Sequence, residues 1–541
     1  MNAGGETVAA RILDLLAAAG VRHVFGLPGL HNLPFWSAEP TRRPRIVGVR
    51  HEQTAAYAAD GLARASGGLG VAVVTSGPGL ANTVAALGEA RSSGSPVLMI
   101  ASEPPLSARR PGRRLLHDLP GPQRDLVLAV TKQRFVPQFP DEAVQDVATA
   151  LHAAMSWPRG PVYVGIAADL LAAPSTAAPR LDLLQRPEPR GVNQAASLLA
   201  QCERILLWVG GGAVQSGAGE HVDALARRLG SPVVATFAAR GILGADHPLL
   251  IDLPPHEPVV RDVLAQADAM VAIGTAFEGM QTMNWSLELP PRLLRVGVRA
   301  DMTAQEDYPP DWIVDGDAAR ACDALALHVG GREAWADAPY RMKRDVHARH
   351  RADPTTAVAA AMVDAVEQSW PDHGNVVCDM SVAGYWVAGY AAQPRPRRLQ
   401  YPVGWGTLGF ALPASVGAAA GGAPTLVVCG DGAAAMAVGE LATLVQERLA
   451  VCVLVVDDGG YGMLRYDQER AGWPQHGVDL VGPDWVALAT AYGLVSERID
   501  DERGLTGALA RAAVADGPTL LHMPLALTPP RTTSPRWADP A

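Results

Sequence analysis

The chain has 541 residues, of which 48% are hydrophobic, so it is long enough for several domains with buried cores. A formal net charge of −10 argues against a nucleic-acid-binding surface. No window offers about 18 uninterrupted apolar residues, so we predict no membrane span. The N-terminal segment lacks the basic stretch of a secretory signal, and the cytoplasm follows as the default location.

Along the chain, short apolar runs alternate with segments of helical periodicity. The runs are, in order, GVAVVTS, PVLMIAS, GPVYVGI, RILLWVGGG, AMVAIG, NVVCDM, TLVVCGDG and AVCVLVVDD. Their continuous hydrophobicity is typical of strands in parallel sheets that are covered on both faces. Helical patterns such as residues 6–18 and 439–448 lie between the strands. The alternation predicts an α/β fold of doubly wound parallel sheets.

Two segments interrupt this pattern and indicate domain boundaries. Residues 172–191 are rich in Pro and Ala, and residues 330–354 are charged and show no strand pattern. We predict both to be weakly structured, with boundaries near residues 185 and 345. The predicted domains are 1–180, 190–335 and 350–528. A Pro- and Thr-rich tail, 529–541, is either extended or folded over a neighbouring surface.

Five cysteines are scattered along the chain and form no CxxC pair. Three of them, Cys378, Cys429 and Cys452, lie within apolar runs that are typical of strands. The other two are Cys202 and Cys322. We therefore predict that these residues are buried thiols.

Two aspartates, Asp431 and Asp458, follow neighbouring predicted strands and lie 27 positions apart. In a βαβ unit both carboxyl ends emerge at one edge of the sheet, where ligands of open α/β sheets bind. Oxygen ligands of this kind suit Mg²⁺, and the adjacent glycines let the backbone approach a phosphate. The alternative is that each Asp-Gly pair is only a turn. Because the two pairs share a sheet edge, a metal–diphosphate site is favoured.

These residues resemble the thiamine-diphosphate enzymes, a family that includes acetolactate synthases, benzoylformate decarboxylase and related 2-oxo-acid decarboxylases. The family motif is Gly-Asp-Gly followed, one helix and strand later, by Asn-Asn. This chain has Asp-Asp where the family has Asn-Asn. The resemblance implies three metal ligands: Asp431, Asp458 and the carbonyl of Gly460. It also places Tyr461 near the diphosphate. A second aspartate adds negative charge beside an anionic cofactor, and we expect binding to survive because Asp is still an oxygen ligand.

Several further blocks carry the same resemblance in the expected order. They are HVFGLPGLHNLPFW, RHEQTAAYAADGLARASG, VVTSGPGLAN, GWGTLGFALPASVGA, and a central stretch that begins VGGGAVQSGA. The resemblance implies that Glu52 activates the cofactor by hydrogen-bonding its aminopyrimidine, near Asn82. Leu408 would wedge between the two cofactor rings, and the backbone of Gly406 would hold the aminopyrimidine. The implied diphosphate neighbours are Ser381, Gly430 and Gly432.

The activity that the resemblance implies is decarboxylation of a 2-oxo acid with thiamine diphosphate and Mg²⁺. The reaction passes through an ylide and an enamine and releases an aldehyde. One alternative is an acetolactate-synthase-like carboligase, in which the enamine attacks a second carbonyl. Another is a cofactor-binding homologue without catalysis, since the Asp-Asp change touches the metal site. Retention of Glu52 argues against that second alternative.

Three residues are candidates for acid–base roles beside the substrate: His31, His117 and Gln123. Each histidine could equally be a solvated loop residue. Other residues predicted to shape the pocket are Leu30, Trp405 and Met463. The predicted substrate is a small-molecule 2-oxo acid, and the sequence indicates neither its size nor its identity.

The turn after ILLWV contains three glycines but does not complete the GxGxxG pattern of a dinucleotide site. Some relatives bind FAD in this domain, so FAD is possible here but unsupported by the sequence. The family places its cofactor between subunits, with Glu52 from one subunit and the metal site from the other. The resemblance therefore implies a homodimer or homotetramer.

Overall fold

Three parallel six-stranded sheets form the protein in the computed structural model, which confirms the predicted fold class. The structure describes residues 6–37, 44–119, 121–182, 184–298, 307–402, 404–533 and 536–537. Most strand residues are buried, because helices cover both faces of each sheet. The less buried strands lie at sheet edges and are β2 (Arg45–Gly48), β5 (Gln133–Phe135), β12 (Trp312–Asp315) and β17 (Val495–Arg498). None of the helices within these ranges combines the length and the apolar character that crossing a membrane requires.

The first sheet has the strand order β2-β1-β3-β4-β6-β5. Its strands are β1 (His23–Gly26), β2 (Arg45–Gly48), β3 (Gly70–Val74), β4 (Val97–Glu103), β5 (Gln133–Phe135) and β6 (Val162–Ala167). Its helices are α1 (Val8–Ala18), α2 (Glu52–Ser66), α3 (Pro78–Ala81), α4 (Val84–Ser92), α5 (Pro140–Met155) and α6 (Ala168–Ala172). The helix predicted over residues 6–18 begins at Val8 because the Thr7 hydroxyl caps it by accepting from the Ala10 amide.

The second sheet has the order β12-β11-β10-β7-β8-β9. Its strands are β7 (Ile205–Val209), β8 (Val233–Ala235), β9 (Leu250–Ile251), β10 (Ala269–Ile273), β11 (Leu293–Gly297) and β12 (Trp312–Asp315). Its helices are α7 (Val192–Leu199), α8 (Gly211–Gln215), α9 (Gly219–Leu229), α10 (Pro258–Gln266) and α11 (Ala318–His328).

The third sheet has the order β14-β13-β15-β16-β18-β17. Its strands are β13 (Asn375–Cys378), β14 (Leu399–Gln400), β15 (Thr425–Gly430), β16 (Val451–Asp457), β17 (Val495–Arg498) and β18 (Thr519–Pro524). The helices before β15 are α12 (Pro339–Ala352), α13 (Ala357–Ser369), α14 (Val382–Tyr390) and α15 (Ala411–Ala419). The later helices are α16 (Asp431–Met436), α17 (Leu441–Gln446), α18 (Gly462–Arg470), α19 (Trp485–Tyr492) and α20 (Glu502–Ala513).

Helices α2 and α15 join the first and third sheets through a very close backbone contact. A Cβ on Gly417 would lie 1.7 Å from the Ala58 carbonyl oxygen, and one on Gly61 would lie 2.1 Å from that of Ala414. Only glycine fits at such positions. The contact therefore fixes how the two helices lie against each other within one chain.

The prediction of a weakly structured segment over residues 330–354 was wrong, because α12 occupies much of it. The helix buries His347 and His350 rather than an apolar stripe, and the His350 ring lies 5.2 Å from that of Tyr390. Sequence periodicity in apolar residues could not find such a face. The proposed boundary near residue 345 falls inside this helix.

The tail covers neighbouring surface over the residues that the structure describes. Thr532 and Thr533 are buried, and the Trp537 ring stacks on that of His256 with centroids 5.5 Å apart. Residues 534–535 and 538–541 of the predicted tail lie outside the described residues. All five cysteines are buried and free, as the sequence predicted.

Candidate active site

Glu52 is the first residue of α2, just after the edge strand β2 and its connecting turn. His51 caps the helix by accepting from the Gln53 amide at 3.2 Å. The Asn82 amide donates to Glu52 Oε2 at 3.0 Å. Two residues that the sequence assigned to the aminopyrimidine end of the site therefore lie in contact.

The turn between β3 and α3 lies beside Glu52. Gln123 supports this turn through a hydrogen bond. The Gly77 amide donates to Gln123 Oε1 at 2.7 Å. Gln123 Nε2 donates to the Ser102 carbonyl and to the Tyr163 hydroxyl, both at 3.0 Å. Gln123 is buried and makes hydrogen bonds through both ends of its amide, which favours a positioning role over contact with substrate.

His31 and His117 come together next to the same turn, although the sequence separates them widely. Their rings lie 5.5 Å apart in an edge-on arrangement. His31 Nδ1 hydrogen-bonds to the Ser76 hydroxyl at 2.7 Å, and burial, followed by the nearby His117, lowers the pKa of His31. His117 Nδ1 is buried without a hydrogen-bond partner among the described residues. Neither histidine is thus a freely solvated loop residue.

Asp431 and Asp458 meet at the carboxyl edge of the third sheet. The neighbouring strands β15 and β16 pair Gly430 with Val456, so the residues that follow share one edge. The pKa of Asp431 is raised to about 6, first by burial and then by the negative charges of Asp457 and Asp458. Burial also raises the pKa of Asp458. A bound cation would relieve the repulsion between these two carboxylates.

Each of the two aspartates has one side-chain oxygen available to such a cation. Oδ1 of Asp431 and Oδ1 of Asp458 are buried and have no hydrogen-bond partner in the described part of the chain. The third acid, Asp457, is already engaged, because Gly459 N and His522 Nε2 bond to it at 2.9 and 3.0 Å. The residues therefore fit Mg²⁺, which takes one or two carboxylates and completes its shell with phosphate and water.

Glycines around the pair let other groups come close. A Cβ on Gly462 would lie 1.8 Å from Asp458 Oδ2, and one on Gly432 would lie 2.6 Å from the Tyr461 ring. Gly430 faces Ser381, whose hydroxyl caps α14 by accepting from the Gly384 amide at 3.1 Å. The predicted diphosphate neighbours thus lie around one cradle.

The loop that carries Gly406 and Leu408 is fixed by two acids that the sequence reasoning missed. Asp379 accepts from the amides of Gly409 and Ala411 at 2.9 and 2.8 Å, and burial raises its pKa to about 6. Glu89, from the first sheet's α4, accepts from the Thr407 hydroxyl at 3.1 Å. Asp379 could have been suspected, because it follows β13 at the same sheet edge as Asp431. No feature of the sequence around Glu89 indicated a role at this site.

Gly406 and Leu408, which the resemblance assigned to shaping the cofactor, lie in the loop just before α15. Gly406 has a φ of +70°, a conformation that favours glycine. Leu408 is half-buried and packs against the core cluster shared by the first and third sheets. Within the described residues, no hydrogen bond or ion pair joins Glu52 to Asp431 or Asp458.

A separate cavity of about 400 Å³ lies among the three sheets. Its lining includes Arg159, Gly211, Glu278 and Arg397. It borders the glycine turn after β7 for which the sequence left FAD open. FAD forms no part of the function proposed below.

Comparison with known proteins adds to this geometry. The thiamine pyrophosphate enzyme N-terminal TPP binding domain matches residues 6–124, the central domain matches 192–325, and the C-terminal TPP binding domain matches 379–523. The chain belongs to the thiamine pyrophosphate enzymes. Thiamine pyrophosphate is thiamine diphosphate, so the predicted family is confirmed.

Curated members of this family match along nearly the whole chain. "Probable 2-ketoarginine decarboxylase AruI" of Pseudomonas aeruginosa is 32% identical over 96% of this chain and 94% of its own. "Probable acetolactate synthase large subunit" of Methanocaldococcus jannaschii is 28% identical over 95% of this chain and 90% of its own. "Acetolactate synthase isozyme 2 large subunit" of Escherichia coli K12 is 29% identical over 95% and 94%.

A solved structure supports the fold. A thiamin diphosphate-dependent enzyme isolated from Mycobacterium smegmatis superposes with a TM-score of 0.79. The alignment covers 96% of this chain and 99% of the other, at 23% sequence identity. At that identity the likeness concerns the three-sheet architecture alone.

Proposed function

We propose that this chain is a thiamine-diphosphate- and Mg²⁺-dependent decarboxylase of a 2-oxo acid. The observation that carries the proposal is the pair of buried, unpartnered oxygens on Asp431 and Asp458 at one sheet edge. Asp431 and Asp458 would hold a divalent cation, whose charge would offset the repulsion between their carboxylates and the negative charge of the diphosphate. The carbonyl of Gly460 is the proposed third protein ligand.

The other cofactor contacts follow from the same cradle. Ser381, Gly430, Gly432 and Tyr461 would flank the diphosphate. Glu52, held by Asn82, would hydrogen-bond the aminopyrimidine, with the Gly406 backbone beside it and Leu408 between the two rings. When bound, the cofactor supplies the electron sink that allows the bond to the carboxylate carbon to break.

The residues of this chain have to bind a 2-oxo acid, exclude water and deliver one proton. In the overall reaction the acid loses carbon dioxide, and the carbonyl carbon takes a proton to give an aldehyde. His31 and His117 are proposed to handle this proton, because they form a pair beside the turn that contacts Glu52. Gln123 is proposed to hold that turn in place.

The name of one relative supports decarboxylation, and several others are named as acetolactate synthases. Carboligation, in which a second carbonyl compound is joined instead of a proton, is therefore the second candidate. The histidine pair supports protonation, because it would offer a proton donor close to the turn that contacts Glu52.

We also propose that the active site is shared between two copies of this chain. Large apolar side chains near the proposed site, including Leu30, Leu116 and Trp405, are exposed in the single chain. A second copy would cover them.

A substrate panel tests the proposal. Purified protein is loaded with thiamine diphosphate and Mg²⁺ and given 2-oxo acids of different size and charge, including pyruvate and the 2-oxo analogue of arginine. Carbon dioxide and an aldehyde in equal amounts are expected for at least one acid. Acetolactate or acetoin from pyruvate would favour the carboligase. Cofactor binding without carbon dioxide from any acid would contradict both activities and favour a non-catalytic homologue.

A further inference from the structure

Four aspartates in the described part of the chain have a buried side-chain oxygen without a hydrogen bond: Asp317, Asp431, Asp458 and Asp467. The proposed cation accounts for Asp431 and Asp458. Asp317 lies 3.7 Å from the Arg186 guanidinium. Asp467 is left without such an explanation, and an unpaired buried carboxylate oxygen is costly in free energy.

The position of Asp467 connects it to the proposed active site. It lies on α18, the helix that begins directly after Tyr461 in the diphosphate cradle. Met463, four residues earlier and so on the same helix face, packs against the core cluster that contains Tyr385. Asp467 therefore lies on the same face of α18 as Met463, the face that packs toward this cluster.

Tyr385 in this cluster belongs to α14, which begins at the proposed diphosphate cradle. Ser381 caps α14 beside Gly430, and Tyr385 follows four residues later on the same face. The pKa of Tyr385 is raised first by burial and then by the charges of Asp379 and Asp467. Asp467 therefore lies close enough to Tyr385 for its charge to act on the phenol. Burial raises the pKa of Asp467 itself, and the positive charge of Arg470 offsets this in part.

We propose that Asp467 recognises a positive charge on the substrate, so that the preferred 2-oxo acid carries a cationic side chain. This inference rests on the proposed function, since it assigns the substrate end of the same site. A guanidinium or ammonium group would supply both the counter-charge and the donors that Asp467 Oδ1 lacks. Asp467 is then a specificity-determining residue, while the metal and cofactor contacts remain as described.

The test compares two acids of equal length that differ in charge: the 2-oxo analogue of arginine and that of citrulline, whose ureido group is neutral. Wild-type protein should show a kcat/KM at least about tenfold higher for the arginine analogue. Asp467→Asn should lower that value by about 10- to 100-fold, the range of a hydrogen bond to a charged group, and change the citrulline value by less than about threefold. Asp467→Glu should restore part of the preference because it keeps the charge.

The matched control is Glu469→Gln, which removes an exposed carboxylate from the same helix and should leave both values unchanged. Equal loss for both acids in Asp467→Asn, or no preference for the cation in wild-type protein, would overturn the inference while leaving decarboxylation intact. Thermal unfolding of each variant monitors folding.

Failure of the proposed function can be distinguished from failure of this inference by measuring binding instead of turnover. If no acid releases carbon dioxide, calorimetry of the arginine analogue binding to cofactor-loaded protein decides the inference. Binding that is tenfold or more weaker in Asp467→Asn supports it. Equal binding by both proteins, or no binding to wild-type protein, overturns it.

Discussion

Asp458 stands where the family has asparagine, and the surroundings show how a second negative charge is accommodated. Arg465 Nη1 lies 3.9 Å from Asp458 Oδ1, and its charge is the main influence that opposes the raised pKa of Asp458. The neighbouring Asp457 is bonded to His522. Positive and donor groups thus offset much of the repulsion before any cation binds.

Changing Asp458 to Asn should keep cofactor binding. Asparagine also offers an oxygen ligand, and the variant removes one charge that repels the diphosphate. We expect the dissociation constant of thiamine diphosphate with Mg²⁺ to stay within about tenfold of wild type, measured by calorimetry on the apoprotein. Asp431→Ala, which removes the buried partner, should abolish binding. Loss of binding in Asp458→Asn would contradict this expectation, because it would show that binding requires the second carboxylate charge.

Changing Glu52 to Gln should lower turnover by about 10²- to 10⁴-fold, because the amide cannot accept or share a proton as the carboxylate does. The hydrogen bond from Asn82 can be kept, so the fold should be unaffected. Turnover is measured as carbon dioxide release, and circular dichroism with thermal unfolding checks the fold. Near-normal turnover would remove Glu52 from the mechanism.

Local sequence revealed some of these residues and hid others. Asp431 and Asp458 could be predicted because glycines mark the turns and the strands before them are apolar. Glu89 acts on a loop that is remote in sequence, so no local pattern marked its function. Gln123 was a candidate for a role beside the substrate, but its hydrogen bond with the Gly77 amide depends on the fold. The contact between His31 and His117 depends on how two loops fold over one turn.

At the scale of elements, the turn between β3 and α3 depends on one side chain for its support. Gln123→Ala would leave the Gly77 amide without its partner, at about 1–3 kcal/mol. Because Gly79 in this turn lies beside Glu52, we expect kcat to fall by about 10- to 100-fold. Steady-state kinetics measures the change. The control is Gln145→Ala on the exposed face of α5. An unchanged kcat in Gln123→Ala would show that the turn keeps its conformation without Gln123.

The contact between α2 and α15 makes a second prediction at this scale. Gly417→Ala places a methyl group 1.7 Å from the Ala58 carbonyl oxygen, so the helices must separate, and we expect a loss of about 3 kcal/mol or more. A lower Tm in thermal unfolding measures it. Gly421→Ala, where the added Cβ meets nothing within 4 Å, is the matched control and should shift the Tm little. Equal Tm values for the two variants would contradict the close approach.

At the scale of the whole molecule, the sequence predicted three α/β units, and the structure has three parallel sheets. Continuous apolar strands and alternating helices sufficed for that, since both depend on local pattern. The boundaries are harder to predict, because α12 continues through the proposed boundary near residue 345 and buries histidines. We retain the division into 1–180, 190–335 and 350–528 as a proposal.

Shared active sites can be tested by mixing two inactive proteins. Glu52→Gln and Asp431→Ala each disable one side of the proposed site. If each site takes Glu52 from one copy and the aspartates from the other, a mixed dimer has one intact site and one doubly altered site. Random reassortment should restore about a quarter of wild-type activity. Sedimentation velocity checks the dimer, and mixtures that stay inactive after exchange would show that each chain builds its own site.

The burial of Cys202, Cys322, Cys378, Cys429 and Cys452 has a practical consequence for studying this enzyme. Alkylating reagents attack exposed thiolates, and burial raises the pKa of each of these thiols. The native protein should therefore give little background with maleimide dyes or nitroxide labels. A fluorescent dye attached to a cysteine introduced on the exposed face of α18 could then be used to follow substrate binding. None of the five natural cysteines would have to be replaced first.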